Sequence, residues 1–204
     1  MKIKYINSDD LNKMPKYYRA SFINSLSGCK SALLVGTKQA SGQLNLALFN
    51  SIVHIGANPP LLGLISRPDT VRRDTLDAIK YRGDYTLNHV TPEFYKQAHD
   101  TSARTTQSEF DLTGLTPYYS PDFGAPFVAE SPLKIGLKLR RLIPIPENGT
   151  HFIIGEIQHV ILPDTAILET GDIALDALNS VAVTGLNTYH TLSKLGYLPY
   201  AHAR

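Results

Sequence analysis

Short apolar runs separated by polar and proline-containing segments dominate the first third of the chain. Ser31–Thr37 (SALLVGT) has the pattern of a buried strand, and a polar turn over Lys38–Gln43 leads into a second apolar run, Asn45–Ile55. We therefore predict a hairpin of two strands. Asn58-Pro59-Pro60 interrupts the pattern, because proline cannot continue a ladder, and Leu61–Ile65 (LLGLI) is the third predicted strand.

Helical segments are predicted where the spacing of apolar residues changes. Asp74–Ile79 begins with N-cap residue types and places its apolar residues on one face, and Gly83 ends this short helix. Tyr85–Val90 returns to a strand pattern. Thr91-Pro92-Glu93 opens a second helix that is predicted to extend to about His99. The polar segment Asp9–Ser25 is predicted to form a further short helix packed on the rest of the fold.

The second half of the chain adds a long polar segment and more strands. Thr101–Pro126 is rich in Ser, Thr, Pro and Gly, which predicts an excursion over the surface. Lys134–Ile145 and His151–Ile161 are predicted strands, and the tail from Asp172 holds another helix or strand. About six short strands with interspersed helices predict a mainly β fold, a barrel with helical additions, as one domain over residues 1–204. A Rossmann domain is disfavoured, because no GxGxxG follows the first strand.

Composition narrows the classes of function. Hydrophobic residues make up 43% and charged residues 19%, which is typical of a globular protein, and the net charge of +2 is too small to indicate nucleic acid or an anionic membrane as a partner. The single Cys29 excludes an intrachain disulfide and is expected to be a small, partly buried residue. No His/Asp/Glu spacing indicates a metal site. The N-terminus lacks the pattern of a signal peptide, and no later run is long enough to span a bilayer, so a cytoplasmic location is expected.

Four motifs follow one another in an order that resembles a known family. They are Asn45–Ser51 (NLALFNS), Asn58–Leu61 (NPPL), Ser66–Leu76 (SRPDTVRRDTL) and Gly83–Asn88 (GDYTLN). In order and spacing they resemble the flavin-reductase-like, FMN-binding split-barrel family. The clear matches cover about residues 30 to 90, with weaker matches to the end of the chain. The resemblance implies a split β-barrel that binds FMN.

The resemblance assigns the FMN phosphate to the segment before and at the predicted helix start. Arg73, Asp74 and Thr75 there offer a cation, a hydroxyl and free backbone N–H groups at the positive end of the helix dipole, and Ser66 and Arg67 could complete the cradle. Asp74 would repel phosphate, so it is expected to cap the helix or to orient an arginine. The alternative is a capped surface helix with solvated arginines.

The isoalloxazine ring is assigned by the resemblance to the stretch Asn45–Ser51. Backbone groups of Asn45, Leu46 and Ala47 would address the polar edge of the ring, and Asn50 and Ser51 would contact the ribityl chain or the phosphate. The sequence departs from the family pattern at Leu48-Phe49-Asn50, which puts the role of Asn50 in doubt. The alternative is a strand whose alternating side chains only pack.

Two histidines are candidates for contacts around the flavin. His89 follows Asn88 and is predicted to approach the flavin edge. His151 begins a strand and would contact nicotinamide, although a hydrogen-bonded or surface histidine is the favoured alternative for this position.

The function implied is an FMN-dependent oxidoreductase in which NADH or NADPH gives hydride to FMN, with no catalytic side chain acting as a nucleophile. The resemblance also implies a homodimer, with the Thr101–Pro126 excursion as a lid or dimer contact, and a monooxygenase that receives the reduced flavin. The alternatives are a flavin store, sensor or electron carrier without reductase turnover, and a barrel that has lost flavin.

Overall fold

The computed structural model describes residues 2–68 and 73–200 of the 204-residue chain. The helices within these ranges are α1 (Ser8–Lys13), α2 (Lys16–Leu26), α3 (Asp74–Arg82), α4 (Tyr95–Asp100) and α5 (Glu109–Thr113), with a 3₁₀ turn at Asp164–Ala166. The strands are β1 (Lys30–Ser31), β2 (Leu33–Lys38), β3 (Leu44–Phe49), β4 (Ile52–Ala57), β5 (Pro60–Ser66), β6 (Asp84–His89), β7 (Pro117–Tyr118), β8 (Phe127–Val128), β9 (Lys134–Ile145), β10 (Thr150–Ile161), β11 (Val181–Thr184) and β12 (Thr188–Thr191). None of the helices in these ranges has the length and apolar character needed to cross a membrane.

The largest sheet has the strand order β3-β2-β6-β9-β10-β5-β4 and is antiparallel throughout. Its edge strands, β3 and β4, are joined by Asn50 and Ser51 alone. A two-residue link spans about 11 Å, whereas the edges of a flat seven-stranded sheet would stand about 29 Å apart. The sheet must therefore curl into a barrel whose two edges meet at this link.

This corner corrects one prediction and confirms another. The apolar run Asn45–Ile55 was predicted as a single strand, but it bends at Asn50-Ser51 and supplies two strands on opposite edges of the sheet. The predicted hairpin is present, since β2 pairs with β3 from Leu33↔Phe49 to Lys38↔Leu44. The third strand also occurs where it was predicted, although it begins one residue earlier, at Pro60.

Two apolar clusters lie on opposite faces of the curled sheet. Strand β2 belongs to both, because Leu33 and Val35 point into one cluster and Leu34 into the other. The inner cluster draws on five strands and on α3, so α3 packs into the barrel; its buried members are Leu33, Val35, Leu64, Leu76, Ile79, Tyr85, Leu87, Leu137 and Ile153. The outer cluster lies under α4, α5, β8 and β11; its buried members are Ala32, Leu34, Leu46, Val90, Phe94, Ala98, Phe110, Leu115, Val128, Val181 and Val183.

Side chains fill the barrel interior. Tyr85 is fully buried there, and a Cβ atom added at Gly155 would lie 2.0 Å from its hydroxyl, so only glycine fits at that position. A barrel packed in this way has no room for a ligand the size of a flavin in its lumen. Any binding site must therefore lie at an end of the barrel or on its outer surface.

Two helix predictions need correction, and a third is confirmed. Asp9–Ser25 is not one helix, because Pro15 separates α1 from α2, and neither helix has a fully buried residue, although Phe22 is partly buried. The helix predicted from Thr91 begins at Tyr95, after a turn. The helix predicted at Asp74 is present and extends to Arg82, with Gly83 in the left-handed conformation at φ 77° as its stop signal.

The segment Thr101–Pro126 is not a surface excursion. It contains α5 and β7, and Phe110, Leu115 and Phe123 are buried in the cores. The tail forms β11 and β12, which join β1 in a three-stranded sheet. Cys29, predicted to be partly buried, is exposed, with its Sγ 3.1 Å from Oγ1 of Thr184.

Candidate functional site

Asn45 joins the start of α3 to the sheet. Its side chain is buried, and Nδ2 donates to Oγ1 of Thr37 on β2 at 3.1 Å and to Oγ1 of Thr75 on α3 at 2.9 Å. Both hydroxyls act as acceptors in these bonds, so each keeps its own hydrogen for donation. Asn45 therefore holds the Thr75 hydroxyl in a donating orientation at the first turn of the helix.

The loop before α3 is tied at its two ends by Arg73. Its Nε donates to the carbonyl oxygen of Pro68 at 2.9 Å, which brings the end of β5 next to the start of the helix. Ser66 is buried at the end of β5, whereas Arg67 is exposed. Asp69, Thr70, Val71 and Arg72, part of the predicted phosphate motif, lie outside the described residues.

Within residues 73–82, the start of α3 receives no side-chain cap from its own N-cap residue. The N-cap residue is Arg73, whose side chain makes no capping hydrogen bond, and Asp74 is already inside the helix. Asp74 is therefore the first helical residue and not the N-cap, and its predicted role, in capping the helix or in orienting an arginine, stays a prediction. The first N–H groups of a helix have no acceptor within the helix and are suited to receive an anion.

The N–H groups of Asn45, Leu46 and Ala47 are directed at partners within the chain. Leu46 donates its N–H to a carboxylate oxygen of Glu109 at 3.0 Å, on the side of β3 that faces away from β2. The alternation of an antiparallel ladder then directs the N–H groups of Asn45 and Ala47 toward β2. Their predicted contacts with a flavin edge through the backbone therefore have no support from this geometry, although contacts through the outward carbonyl group of Leu46 and through side chains stay predicted.

Glu109 is the charged residue of the site that the sequence predictions omitted. Burial raises the pKa of its carboxyl above the ordinary value, the Leu46 N–H opposes that rise, and the nearby Asp74 carboxylate adds to it. Phe110, 3% exposed, anchors α5 in the same apolar cluster as Leu46. Ser108-Glu109 followed by Phe110 and Gly114 is a start and stop pattern for a short helix, which was the signal available in the sequence.

Asn50 and Ser51 both make hydrogen bonds at the corner of the barrel. Asn50 donates from Nδ2 to the carbonyl oxygen of Gly185 at 2.7 Å, toward the small sheet. Ser51 donates from Oγ to the carbonyl oxygen of Ile65 at 2.9 Å, one residue before Ser66. Phe49 packs against the inner cluster. A direct role in flavin binding stays a prediction for all three residues.

The two candidate histidines occupy different parts of the barrel. His151 on β10 lies opposite Ser66 on β5 in the ladder, so the structure brings these two predicted residues together. His89 on β6 pairs with Leu33 of β2, whereas Asn45 on β3 pairs with Thr37 of β2. Leu33 and Thr37 are four residues apart, so His89 and Asn45 lie at levels of the sheet about 13 Å apart along β2. His89 is buried with Nδ1 3.0 Å from Oγ of Ser180, and burial lowers its pKa to about 4.

Comparison with known proteins agrees with this geometry. The model of the flavin reductase like domain matches residues 28–175. An uncharacterised protein of Halalkalibacterium halodurans is 30% identical over 164 residues, which cover 76% of this chain and 78% of that protein.

Solved structures show the same fold. A protein of Shewanella frigidimarina described as a flavin reductase with a split barrel domain is 48% identical, with a TM-score of 0.94 over 97% of this chain and 100% of that one. Nitrilotriacetate monooxygenase component B of Bacillus cereus is 21% identical, with a TM-score of 0.84 over 97% of this chain and 100% of that one, which shows the fold alone. The predicted mainly β split barrel is therefore confirmed, and the chain belongs to the flavin reductase like family.

Proposed function

We propose that this protein is an FMN-dependent oxidoreductase in which NADH or NADPH reduces FMN. Membership of the flavin reductase like family supports flavin chemistry in general. The observation that carries the choice of FMN is the start of α3, where Arg73 and the Thr75 hydroxyl stand beside the first backbone N–H groups of the helix. FMN ends in a dianionic phosphate, and this donor set suits such a group.

The donors at the start of α3 are held in place before any ligand arrives. Arg73 is fixed through Nε by the Pro68 carbonyl, so phosphate recognition falls to its terminal nitrogens. Thr75 accepts from Asn45 and is left to donate. Groups held in this way lose little freedom on binding, which favours affinity for the phosphate. Ser66 and Arg67, at the other end of the same loop, complete the proposed cradle.

Bound FMN would supply the acceptor for hydride from the nicotinamide. The residues of the chain bind FMN, orient it toward the nicotinamide and exclude water from the site. None of them is proposed as a nucleophile or as a general acid. Asn45, Leu46, Ala47 and Phe49 on β3, with Asn50 and Ser51 at the corner, are proposed to lie along the flavin. His151, paired with Ser66 in the ladder, is proposed to face the nicotinamide.

A homodimer in the cytoplasm is part of the proposal. Helix α2 has no buried residue and exposes Tyr17, Tyr18 and Leu26, with exposed fractions of 83%, 61% and 63%. We propose that a second copy of the chain covers part of this exposed apolar surface. The component B name of the Bacillus cereus protein supports a monooxygenase as the recipient of reduced flavin.

The first test is the visible absorbance spectrum of the purified protein with FMN, before and after anaerobic addition of NADH or NADPH. Rapid bleaching of the flavin bands supports a reductase and identifies the nucleotide. Persistent bands favour a store or an electron carrier. A protein that binds no FMN contradicts the proposal.

Arg73→Ala tests the phosphate assignment. Loss of a charge-assisted contact worth about 1.5–3 kcal/mol is expected to weaken FMN binding about 10- to 100-fold, measured by fluorescence quenching of the flavin. Lys80→Ala is the matched control, because it removes a positive charge from the last turn of the same helix. Equal FMN affinity in both variants would contradict the assignment.

A further inference from the structure

The segment Thr101–Pro126 reaches the proposed flavin strand through one carboxylate. Glu109 accepts the outward N–H of Leu46 at 3.0 Å, and this N–H lies between the residues Asn45 and Ala47 that are proposed to lie along the flavin. Strand β3 is an edge of the seven-stranded sheet, so its outward N–H groups have no ladder partner. Such groups ordinarily take water, whereas here the partner is a half-buried charge.

Placing a carboxylate there has a cost that packing alone does not explain. Desolvation disfavours the ionised form, and Asp74 of α3 stands close enough to disfavour it further. Strand β3 itself carries no titratable side chain. The carboxylate gains in return a charge-assisted hydrogen bond, which is stronger than a bond to a neutral acceptor and sets the position of the strand more tightly.

The anchor of this arrangement is the apolar side chain next to Glu109. Phe110 is 3% exposed and shares its cluster with Leu46, so α5 and β3 are packed together on the outer face of the barrel. Glu109 is thus held against the edge of β3 from one side, while Asn45 ties the other face of β3 to Thr75 of α3. Adjacent residues of one strand are fixed from both directions.

We propose that Glu109 is a positioning residue of the flavin site, which holds the backbone of Leu46 and Ala47 at the distance that the flavin requires. The inference rests on the proposed function. It assigns Thr101–Pro126 the role of a brace for β3 rather than that of a lid. Glu109 acts through the strand and does not itself touch the flavin.

Two substitutions separate this role from a general contribution to stability. Glu109→Gln keeps a carbonyl oxygen that can accept the Leu46 N–H, whereas Glu109→Ala removes the acceptor. We expect Glu109→Ala to weaken FMN binding about tenfold and to shift the absorbance maxima of bound FMN, and Glu109→Gln to restore both to within about twofold of the native chain. Asp111→Ala is the matched control, an exposed acid on the same helix, with no expected effect.

The measurement is a titration of each full-length variant with FMN, followed by absorbance, together with hydrogen exchange at the Leu46 amide in flavin-free protein. Glu109→Ala should speed that exchange and Glu109→Gln should not. Native FMN affinity and an unshifted spectrum in Glu109→Ala would overturn the inference, and so would a Glu109→Gln variant that folds but binds as poorly as the alanine variant. If Glu109→Ala does not fold, the glutamine variant and the exchange rate decide.

Failure of the proposed function would look different. In that case the native chain itself would bind no FMN, whatever stands at position 109. A native chain that binds FMN together with an unaffected Glu109→Ala variant would instead keep the proposed function and remove Glu109 from it.

Discussion

Two polar segments that carry scattered aromatic residues differ in how deeply the fold buries them. Residues 8–26 form two helices without a buried residue, and Tyr17 is 83% exposed. Residues 101–126 bury Phe110 and Phe123 and place a carboxylate on the edge of the main sheet. Composition does not separate the two segments, since both are polar with a few large apolar side chains.

What separates them is the surface that each one meets. The outer face of β2 and β3 presents Leu34 and Leu46 to α5, and an edge N–H beside them needs an acceptor. Helix α2 meets no comparable face among the described residues of its own chain. A short isolated helix is marginal in water, so α2 depends on contacts beyond its own sequence. The difference shows that burial of a polar segment is decided by its receiving surface.

The strongest test of this comparison is Phe110→Ala. Truncating a buried phenylalanine is expected to lower the free energy of unfolding by about 3–5 kcal/mol, measured by urea denaturation. Tyr118→Ala, an exposed aromatic of the same segment, is the control and is expected to change it by less than about 0.5 kcal/mol. A loss below about 0.5 kcal/mol in Phe110→Ala as well would show that Thr101–Pro126 contributes no core.

A second test concerns the buried contact between His89 and Ser180, which lies next to the three-stranded sheet of β1, β11 and β12. His89 is neutral when folded, because its pKa is lowered from 6.5 to about 4, and it pairs with Ser180 just before β11. Between these pH values the His89 imidazole binds a proton in the unfolded chain but not in the folded one. The free energy of unfolding should therefore fall by about 3 kcal/mol as the pH drops from about 6.5 to about 4.

The measurement for His89 is urea denaturation at pH 7 and at pH 4.5. His89→Gln should lose most of this pH dependence, whatever its stability at neutral pH. His54→Gln, at an exposed histidine of β4, is the control and should retain it. A His89→Gln variant with the native pH dependence would contradict the assignment.

The smallest effect is expected on the other side of the comparison. The double variant Tyr17→Ala, Tyr18→Ala should change the free energy of unfolding by less than about 0.5 kcal/mol in dilute protein, because neither ring is packed. In concentrated protein the same variant should shift sedimentation toward the monomer if α2 covers a second copy. A loss of about 2 kcal/mol at every concentration would mean that the rings pack within their own chain.

Sequence patterns were sufficient where local rules decide the structure. Gly83 ends α3 because the stop needs a positive φ, and the β2–β3 hairpin follows from two apolar runs around a polar turn. They failed where a distant partner decides. The continuous run Asn45–Ile55 bends at Asn50 because its halves pair with different strands, and nothing local marks that change.

The same distinction applies to the candidate site. The helix start that carries Arg73 and Thr75 was predicted correctly, but Asp74, expected to cap the helix or to orient an arginine, lies one position inside the helix. The partnership of Glu109 with Leu46 joins residues 63 positions apart, and that of Asn45 with Thr75 joins residues 30 positions apart. Such pairs depend on how the barrel closes, which no short motif records.

The two-residue link at Asn50-Ser51 also bears on association with other chains. It joins the two edge strands of the largest sheet directly, and the exposed Val53 and Ile55 lie on β4, just beyond it. Open edges of this kind invite strands from other molecules. Because the link is so short, each edge strand is present at the other at an effective concentration of at least about millimolar. This proximity favours contact between the two edges over contact with another chain, and cleavage of the peptide bond at this link is expected to promote association through the separated edges.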